Sequence, residues 1–362
     1  MNKKEYFIGL MSGTSLDGVD IALCEIDAKE CTLLHSKEYP FPPELKEQIL
    51  KSISSNVTLK SVGELDHKLG VLFADSVNTF IKEFNLNAKE ITAIGLHGQT
   101  LWHEPESETP FSMQLGDANI VCAKSNIKTV ADFRRMDIAN GGQGAPFAPA
   151  FHKFMFSHLK GGVALVNIGG MANITLLGQE LLGWDSGCGN VLLDYWMSES
   201  AYKPYDVNGE YARSGEVNTS LLNAMLEDEY FSKEPPKSTG REYFNNRWLD
   251  AILSKFEPLK AEDIQRTLLE LTAQSISNDI ESQNIKTLIV CGGGAKNGFL
   301  MQRLQALNSA DVKCSNDVGV DGDALEAMAF AWLAYKRVHK EVVDLKSVTG
   351  ASQNTLLGGI YG

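Results

Sequence analysis

Residues 5–27 read EYFIGLMSGTSLDGVDIALCEID, and this stretch decides the fold. EYFIGLM and VDIALCEID have the length and apolar character of strands, whereas SGTSLDG between them has the composition of a loop. The pattern predicts a β-hairpin with a broad loop. Glycine in such a loop lets backbone N–H groups approach a phosphate, because no Cβ stands in the way.

The same design returns in GGVALVNIGG (161–170) and ANITLLG (172–178), which predicts an internal structural duplication. Around the two hairpins, strand and helix patterns alternate. The other clear patterns are a helical stretch over 43–84, the strand ITAIGLHG (91–98), the strand, glycine turn and helix that begin at KTLIVCGGGAKNG (286–298), and the helix DALEAMAFAWLAYKRV (323–338). Strands that alternate with helices predict a layered α/β fold.

A chain of 362 residues exceeds the usual size of one compact domain, so we expect two lobes with a ligand in the cleft between them. We place the boundary between residues 145 and 146. The N-terminal lobe, 1–145, would carry the first hairpin. The C-terminal lobe, 146–362, would carry the second hairpin and the glycine turn at 292–294, and the last segment, TGASQNTLLGGIYG (349–362), would pack on it.

The charge and the apolar pattern restrict the class of partner. A net charge of -13, without a basic run or an aromatic-basic stripe, argues against nucleic acid. The N-terminus lacks a signal-peptide core and no apolar stretch reaches about 18 residues, which predicts a cytoplasmic protein that does not bind membranes. The six cysteines form no CxxC pair, so we expect free thiols and no structural zinc.

Three glycine turns follow apolar strands, at 12–15, 167–170 and 292–294. Each one alone is compatible with a simple tight turn, but the three together indicate a nucleotide site. The phosphate motif GxxxxGK followed by Ser or Thr is absent, and GCGNVL (187–192) lacks the third glycine of a dinucleotide fingerprint. Hairpin phosphate loops from two lobes resemble instead the actin, hexokinase and Hsp70 superfamily, in which a nucleotide lies between ribonuclease-H-like lobes.

GLMSGTSLDGVD (9–20) closely resembles the signature of the anhydro-N-acetylmuramic acid kinase family. Further blocks that resemble this family, in its order, are LHGQT (96–100), QLGD (114–117), VADFRRMDIANGGQGAPFAPAFH (130–152), NIGGMANIT (167–175), DSGCGN (185–190), PPKSTGREYFN (235–245), CGGGAKN (291–297) and DALEAMAFAWLA (323–334). The resemblance spans essentially the whole chain. It departs at Ser186, Cys188 and Ala118, where the family usually has threonine, proline and proline.

The resemblance implies a bacterial enzyme of peptidoglycan recycling that uses ATP and Mg²⁺. It would hydrolyse the 1,6-anhydro ring of anhydro-N-acetylmuramic acid and phosphorylate O6, yielding N-acetylmuramic acid 6-phosphate and ADP. A homodimer is also implied. The nucleotide contacts that the matching blocks imply are Gly13, Thr14, Ser15, Leu16, Asp17, Gly18, Val19, Asp20, Gly169, Gly170, Gly292, Gly293, Gly294 and Asn297.

Three carboxylates are candidates for the chemistry. Asp185 follows the apolar run ELLGW and precedes a glycine turn, so we expect it at a strand end as the general base that takes a proton from water, although such an aspartate alone is usually a turn residue. Glu326 would help to orient this water, or would only be a favourable charge in the first turn of a helix. Of the two aspartates Asp17 and Asp20, one would orient the waters of Mg²⁺, and Asp20 is favoured because it lies near the second strand. Either would otherwise be a loop or strand-edge aspartate satisfied by backbone amides.

The candidate sugar contacts share a position in the family blocks at predicted strand ends, and they are His97, Gln99, Asp117, Asp132, Arg134 and Asp137. Such polar groups can orient hydroxyl, acetamide or carboxylate groups. Arginine suits the lactyl carboxylate, since it offers paired N–H donors. Each of these residues alone is equally compatible with a structural hydrogen bond or ion pair.

Two other functions stay open. An ordinary acetamido-sugar kinase of the same fold would use its aspartate to deprotonate a sugar hydroxyl, and it would phosphorylate N-acetylmuramic acid itself. A nucleotide-gated binding ATPase would turn over ATP without a sugar, or would form filaments. Carboxylates beside the phosphate loops argue against the second of these.

Overall fold

The structure is a computed structural model of the chain. It describes residues 4–13, 16, 18–54, 56–159, 161–178, 181–235, 237–241 and 243–362. The predicted nucleotide contacts Thr14, Ser15 and Asp17 lie outside the described residues.

The chain folds into two compact units. Unit 1 contains Met1–Met155 together with Ala324–Gly362, and unit 2 contains Phe156–Asp323. The single boundary expected between residues 145 and 146 is therefore corrected. The chain leaves unit 1 after residue 155 and returns to it at residue 324, so the last segment does not belong with the second unit.

The N-terminal part of unit 1 alternates strands and helices. Its strands are β1 (Glu5–Ser12), β2 (Gly18–Ile26), β3 (Cys31–Pro40), β4 (Ile91–Glu104), β5 (Phe111–Leu115) and β6 (Thr129–Ala131). Its helices are α1 (Pro43–Ser54), α2 (Leu59–Glu83), α3 (Ala118–Ser125), α4 (Arg134–Ala139) and α5 (Ala148–Met155). The helical stretch over 43–84 is thus two helices, because Thr58 starts a new one by accepting a hydrogen bond from the backbone N–H of Ser61.

Unit 2 begins with the second predicted hairpin. Its strands are β7 (Gly162–Ile168), β8 (Met171–Leu177), β9 (Leu181–Cys188), β10 (Ile285–Cys291) and β11 (Asp311–Cys314). Its helices are α6 (Val191–Ala201), α7 (Glu210–Ser214), α8 (Thr219–Leu226), α9 (Asn246–Leu253), α10 (Ala261–Glu281) and α11 (Gly298–Leu307). Helix α10 is buried along most of its length, so it forms the centre of the helical layer.

The chain then returns to unit 1 as α12 (Leu325–Val338), α13 (Lys346–Thr349) and β12 (Gly359–Tyr361). Helix α12 lies directly on the sheet because Gly9 and Gly95 have no side chain. A Cβ at Gly9 would lie 1.7 Å from the carbonyl oxygen of Ala327, and one at Gly95 would lie 1.9 Å from that of Phe330. Strand β12 pairs antiparallel with β6. These contacts are the physical reason why residues 324–362 belong to unit 1.

The two sheets share one topology. The strand orders are β12-β6-β4-β1-β2-β3, with β5 paired on β4, and β11-β10-β7-β8-β9. In each unit the first three strands pair antiparallel and the fourth runs parallel to the first. The order β6-β4-β1-β2-β3 of the first sheet matches β11-β10-β7-β8-β9 of the second, which confirms the predicted duplication and the layered α/β fold. Within the described part of the chain, none of the helices combines the length and apolarity that a bilayer-spanning segment needs.

Candidate active site

The first phosphate hairpin is anchored by Gln99. Strands β1 and β2 pair up to Ser12 and Val19, and the loop between them begins at Gly13. The Ser12 hydroxyl donates to Oε1 of Gln99, and Nε2 of Gln99 donates to the carbonyl oxygen of Gly13 over 3.3 Å. Gln99 is buried, at 1% exposed. Its position supports the loop backbone, where the sequence had suggested a contact with the sugar.

A half-buried cation lies against the middle of β4, beside His97. The side chain of Arg134 donates from Nη2 to Nε2 of His97 over 2.9 Å and from Nη1 to the carbonyl oxygen of Gly144 over 3.2 Å. Its guanidinium also stacks over Phe147, 5.7 Å from the ring centre. The Nε atom of Arg134 is buried, and no described residue accepts a hydrogen bond from it. The Nε donor of Arg134 is therefore left unsatisfied by the described residues.

Glu326 stands in the first turn of α12 and interacts electrostatically with Arg134. Its side chain is open to solvent, although protein atoms surround it closely. Desolvation by these atoms raises the pKa of the Glu326 carboxyl, and the positive charge of Arg134 opposes that rise. Burial in turn lowers the pKa of Arg134 to about 10, against the opposing effect of Glu326.

Asp20 faces the same side of the sheet as α12. It is the cross-strand partner of Met11, which lies two positions beyond Gly9 on β1, and side chains two apart on a strand share a face. Gly9 meets α12 directly. Among the described residues no cluster of three or more His, Cys, Asp or Glu side chains could hold a metal. A magnesium ion bound to a nucleotide commonly needs only one or two carboxylates, so Asp20 fits this requirement.

The three remaining sugar candidates, all in unit 1, have different surroundings. Asp137 is 2% exposed, and its two oxygens accept from the N–H of Gly144 and from the hydroxyl of Thr349. The structure therefore gives Asp137 an internal structural role. Asp117 caps α3 by accepting a hydrogen bond from the N–H of Asn119. Asp132 accepts one from Nε of Arg135. Both line a cavity of about 620 Å³ together with His97.

Asp185 in unit 2 is held by a short segment that follows α8. Its Oδ2 atom accepts from the Ser238 hydroxyl over 2.9 Å and from the backbone N–H of Thr239 over 3.0 Å. Its own N–H donates to the carbonyl oxygen of Lys237 over 2.9 Å. The hydroxyl of Tyr230 donates to its carbonyl oxygen. Donors fixed on one carboxylate oxygen favour the ionised form and fix its direction.

Asp185 lies inside β9, and we had expected it at a strand end. The pairing with β8 passes from Asp185 to Gly187, so Ser186 forms a β-bulge. Bulges often re-aim a side chain next to an active site. This correction keeps Asp185 as a candidate base, since the bulge provides the turn in direction that we had assigned to the glycine turn.

The second glycine turn, at 167–170, is hydrogen-bonded to the backbone at 189–190 and lies in close contact with the third, at 292–294. The carbonyl oxygen of Gly169 accepts from the N–H of Asn190, and that of Gly170 accepts from the N–H of Gly189. Gly292 has a φ of 76°, and a Cβ there would lie 2.3 Å from Oδ1 of Asn167. Only glycine fits this position. The glycine turns of unit 2 are therefore neighbours in space, and their backbones can present N–H groups to a nucleotide.

The turn at 292–294 continues into α11 through a short 3-10 helix, Gly293–Lys296. Asn297 caps α11, because its side chain accepts from the N–H of Leu300. This cap accounts for Asn297 without a ligand. Gly293 and Gly294 belong to the 3-10 helix, and a Cβ at Gly294 would lie 2.4 Å from the side chain of Ile168.

Sequence reasoning missed the side chains around Gly170. A Cβ at Gly170 would lie 3.3 Å from Nη2 of Arg241, so this exposed guanidinium lies against the turn. Asp194 in α6 interacts electrostatically with Arg241, and burial raises the pKa of Asp194 to about 6 against that interaction. The available signal was the block PPKSTGREYFN (235–245), which supplies Arg241 and both donors to Asp185.

Comparison with known proteins gives one consistent family. The family model described as "Anhydro-N-acetylmuramic acid kinase" matches residues 5–362. A protein of that name from Sulfurovum sp. (strain NBC37-1) is 58% identical over 363 residues, which cover 100% of each chain. A protein of the same name from Sulfurimonas denitrificans is 55% identical, and the match covers 99% of each chain. One from Pasteurella multocida is 50% identical, and the match covers 98% of this chain and 96% of that one.

Solved structures resemble the chain more distantly. Component A of the Acidaminococcus fermentans (R)-2-hydroxyglutaryl-CoA dehydratase has a TM-score of 0.48 at 12% identity, and the match covers 92% of this chain and 99% of that one. A ROK family glucokinase from Streptomyces griseus, solved with glucose and AMPPNP, has a TM-score of 0.41 at 11% identity, with coverage of 91% and 99%. Likeness at this level carries no argument about function.

Proposed function

The chain belongs to the anhydro-N-acetylmuramic acid kinase family, and from this premise we propose how its residues perform the reaction. It is a kinase that uses ATP to phosphorylate a small sugar. The reaction opens the 1,6-anhydro ring of anhydro-N-acetylmuramic acid and phosphorylates O6, which yields N-acetylmuramic acid 6-phosphate and ADP in cell-wall recycling. Family membership favours this reaction over an ordinary acetamido-sugar kinase and over a nucleotide-gated binding ATPase.

Asp185 is the general base in this proposal. The observation that carries the assignment is the pair of donors on Oδ2, the Ser238 hydroxyl and the Thr239 N–H, at 2.9 and 3.0 Å. They stabilise the ionised carboxylate and fix the direction in which it can accept a proton. A base held in this way can take a proton from a water molecule that attacks C1 of the sugar.

Arg134 and Glu326 serve the sugar. Arg134 carries a half-buried positive charge, and its Nε donor is not satisfied by any described residue, so it suits the lactyl carboxylate. Glu326 has a carboxyl group that is open to solvent and shares the neighbourhood of Arg134, so it can accept a hydrogen bond from the attacking water or from a sugar hydroxyl. His97 and Asp132 complete the polar groups that we assign to sugar binding.

Attack by water, ring opening and phosphoryl transfer each drive the next step of the proposed reaction. Water forms a bond to C1 as Asp185 accepts its proton, and the C1–O6 bond breaks. O6 takes the electron pair of that bond and attacks the γ-phosphorus, and the bond to the β-phosphate oxygen breaks to release ADP. O6 has no free hydroxyl before the ring opens, so ring opening and phosphoryl transfer belong to one coupled event.

The phosphates of ATP would be bound by the backbone of the first hairpin loop from Gly13 onward and by the turn at Gly169 and Gly170. Arg241 beside Gly170 adds a guanidinium that can donate to phosphate oxygens. Asp20 would hold the waters of Mg²⁺. Magnesium, when bound, would neutralise negative charge on the phosphate oxygens.

The proposal also includes the cellular location and the oligomeric state of the enzyme. We place the enzyme in the cytoplasm, where ATP is available, and we expect a homodimer. Size-exclusion chromatography with light scattering measures the second property directly, and a monomer at all concentrations would remove it.

The experiment that tests the reaction is turnover of anhydro-N-acetylmuramic acid with ATP and Mg²⁺ in ¹⁸O-labelled water. The label is expected at the anomeric oxygen and not in the transferred phosphoryl group. Because the anomeric oxygen exchanges with water after ring opening, the product must be quenched early and compared with unlabelled product kept in labelled water. Label in the phosphoryl group would mean that water attacks phosphorus, and early product without label at C1 would remove the water-activating role of Asp185.

A further inference from the structure

We propose that the buried ion pair between Lys237 and Asp279 is a positioning device that holds Asp185 ionised and aimed. The inference rests on the proposed function, in which Asp185 is the base. Neither Lys237 nor Asp279 touches the reacting atoms in this assignment. They act through the two chain segments that meet at Asp185.

Asp279, near the end of α10, holds both of these segments. Its Oδ1 atom accepts from Nζ of Lys237 over 3.0 Å, and its Oδ2 atom accepts from Nε1 of Trp184 over 2.9 Å. Trp184 immediately precedes Asp185 on β9. Lys237 immediately precedes Ser238 and Thr239, which donate to the Asp185 carboxylate. One carboxylate therefore fixes the base and its two donors relative to each other.

A backbone hydrogen bond and the side chain of Tyr230 provide further links between Asp185 and Lys237. The N–H of Asp185 donates to the carbonyl oxygen of Lys237 over 2.9 Å. The Tyr230 hydroxyl donates to the carbonyl oxygen of Asp185 over 2.7 Å, and the ammonium group of Lys237 lies 5.4 Å from the centre of the Tyr230 ring. These contacts of Asp185 thus lead back to the ion pair within two residues.

The cost of burying this pair suggests a purpose beyond stability. The side chains of Lys237 and Asp279 are 3% and 12% exposed. A buried ion pair is often no more stabilising than apolar side chains of similar volume, because both charges lose their hydration. What an apolar pair could not supply is a carboxylate that accepts from two different segments, together with a cation that compensates its charge.

The charges around Asp185 in unit 2 set the sign of any pH effect. The segment at 237–239 contributes Lys237, α10 contributes Asp279, and the loop after α8 contributes Tyr230, with Lys233 5.6 Å from its ring centre. Strand β8, which pairs with β9, has no titratable side chain. Burial first, and then the carboxylates of Asp185 and Asp279, raise the pKa of Tyr230. Both carboxylates are therefore close enough to interact electrostatically with the same hydroxyl.

The test compares the full-length enzyme with Lys237→Met and with the double variant Lys237→Met, Asp279→Asn. Loss of Lys237 leaves the negative charge of Asp279 uncompensated, which favours the protonated form of Asp185. We expect kcat to fall roughly a hundredfold with KM for both substrates unchanged, and the acid limb of the kcat/KM profile to move up by about one pH unit. The double variant, which has neither charge, is expected to return the limb to its original pH while kcat stays low.

Arg303→Met is the matched control. Arg303 on α11 pairs with Glu270 on α10 at 2.7 Å, so this variant also breaks an ion pair of α10, away from Asp185. It is expected to lower the melting temperature without moving the acid limb. A Lys237→Met enzyme with wild-type kcat, or with reduced kcat and an unmoved limb, would show that the Lys237 pair is only a structural link.

Trp184→Phe provides a milder variant if Lys237→Met does not fold. It removes only the indole donor to Asp279, and we expect kcat to fall about tenfold at constant KM. Wild-type kcat in this variant would overturn the inference. Asp185→Asn, measured in parallel, distinguishes failure of the positioning role from failure of the proposed base. If Asp185→Asn is inactive and Lys237→Met is unaffected, only the positioning role fails, whereas full turnover in Asp185→Asn removes the proposed base itself.

Discussion

Arg134 donates a hydrogen bond from Nη2 to Nε2 of His97 over 2.9 Å. A guanidinium group has no acceptor, so Nε2 of His97 must be the unprotonated nitrogen and the ring proton must be on Nδ1. Burial, and then the positive charge of Arg134, lowers the pKa of His97 to about 3. The imidazole is therefore neutral at every pH at which the enzyme is expected to work, and it orients Arg134 without adding charge.

This neutral histidine predicts a loss of stability in acid. The folded-state pKa of His97 lies below its ordinary value of 6.5, so the unfolded chain takes up a proton first as the pH falls. The stability that the neutral form contributes is present above about pH 6.5 and is lost as the pH falls toward 3. His97→Asn should reduce the pH dependence of the unfolding free energy in this range by about 1.4 kcal/mol per pH unit.

Urea unfolding at a series of pH values measures that slope. His67→Asn is the control, since it removes a histidine that is exposed on α2. Equal slopes for wild type and His97→Asn would contradict the assignment of a neutral buried imidazole. His152 is also buried with its pKa lowered to about 3, so part of the acid sensitivity should persist in the variant.

Asp185→Asn should leave ATP and sugar binding nearly intact and lower kcat by roughly 10²- to 10⁴-fold. The amide keeps the shape of the carboxylate but cannot take a proton from water. Steady-state kinetics combined with calorimetric binding of both ligands separates the two effects. Near-normal turnover in this variant would exclude Asp185 from proton transfer.

Arg134→Lys should weaken recognition of the lactyl carboxylate. Lysine keeps the charge but loses the planar fork and the stacking on Phe147. The measurement compares kcat/KM for anhydro-N-acetylmuramic acid with that for 1,6-anhydro-N-acetylglucosamine, which lacks the lactyl group. The preference of the wild type for the first sugar should shrink about tenfold in the variant. An unchanged preference would assign Arg134 to a structural role.

Arg241→Ala should raise KM for ATP about tenfold and leave KM for the sugar unchanged, because its guanidinium lies beside the glycine turn that we assign to phosphate. Arg247→Ala is the matched control, as Arg247 is an exposed arginine on α9. If both variants bind ATP equally well, Arg241 has no part in nucleotide binding.

The sequence was informative where the structure depends on neighbours along the chain. Both hairpins, the strand β10 with its glycine turn, and α12 were predicted with bounds close to those observed, because apolar runs and glycine turns are local signals. The duplication followed from the likeness of the two hairpins. The strand orders of the sheets then confirmed it.

The sequence was uninformative where residues far apart in the chain meet. Nothing near Gly9 indicates that its partner is Ala327, and this contact is one of those that place α12 in unit 1. In the same way, the block at 235–245 was visible as a family motif, but its position against Asp185 depends on tertiary hydrogen bonds. The β-bulge at Ser186 also had no local signal, since a serine between aspartate and glycine is equally at home in a turn.

The contact of α12 with Gly9 and Gly95 also has a consequence for biosynthesis. The ribosome makes the first strands of unit 1 early, but it makes α12 only after the whole of Phe156–Asp323. A nascent chain halted at residue 323 would therefore contain every residue of unit 2. Gly9 on β1 and Gly95 on β4 would still lack the helix α12 that packs on them. Domains generally fold as units during synthesis, beginning with those nearer the N-terminus. Here that sequence of events is inverted, because the part of the protein that starts first is the part that finishes last.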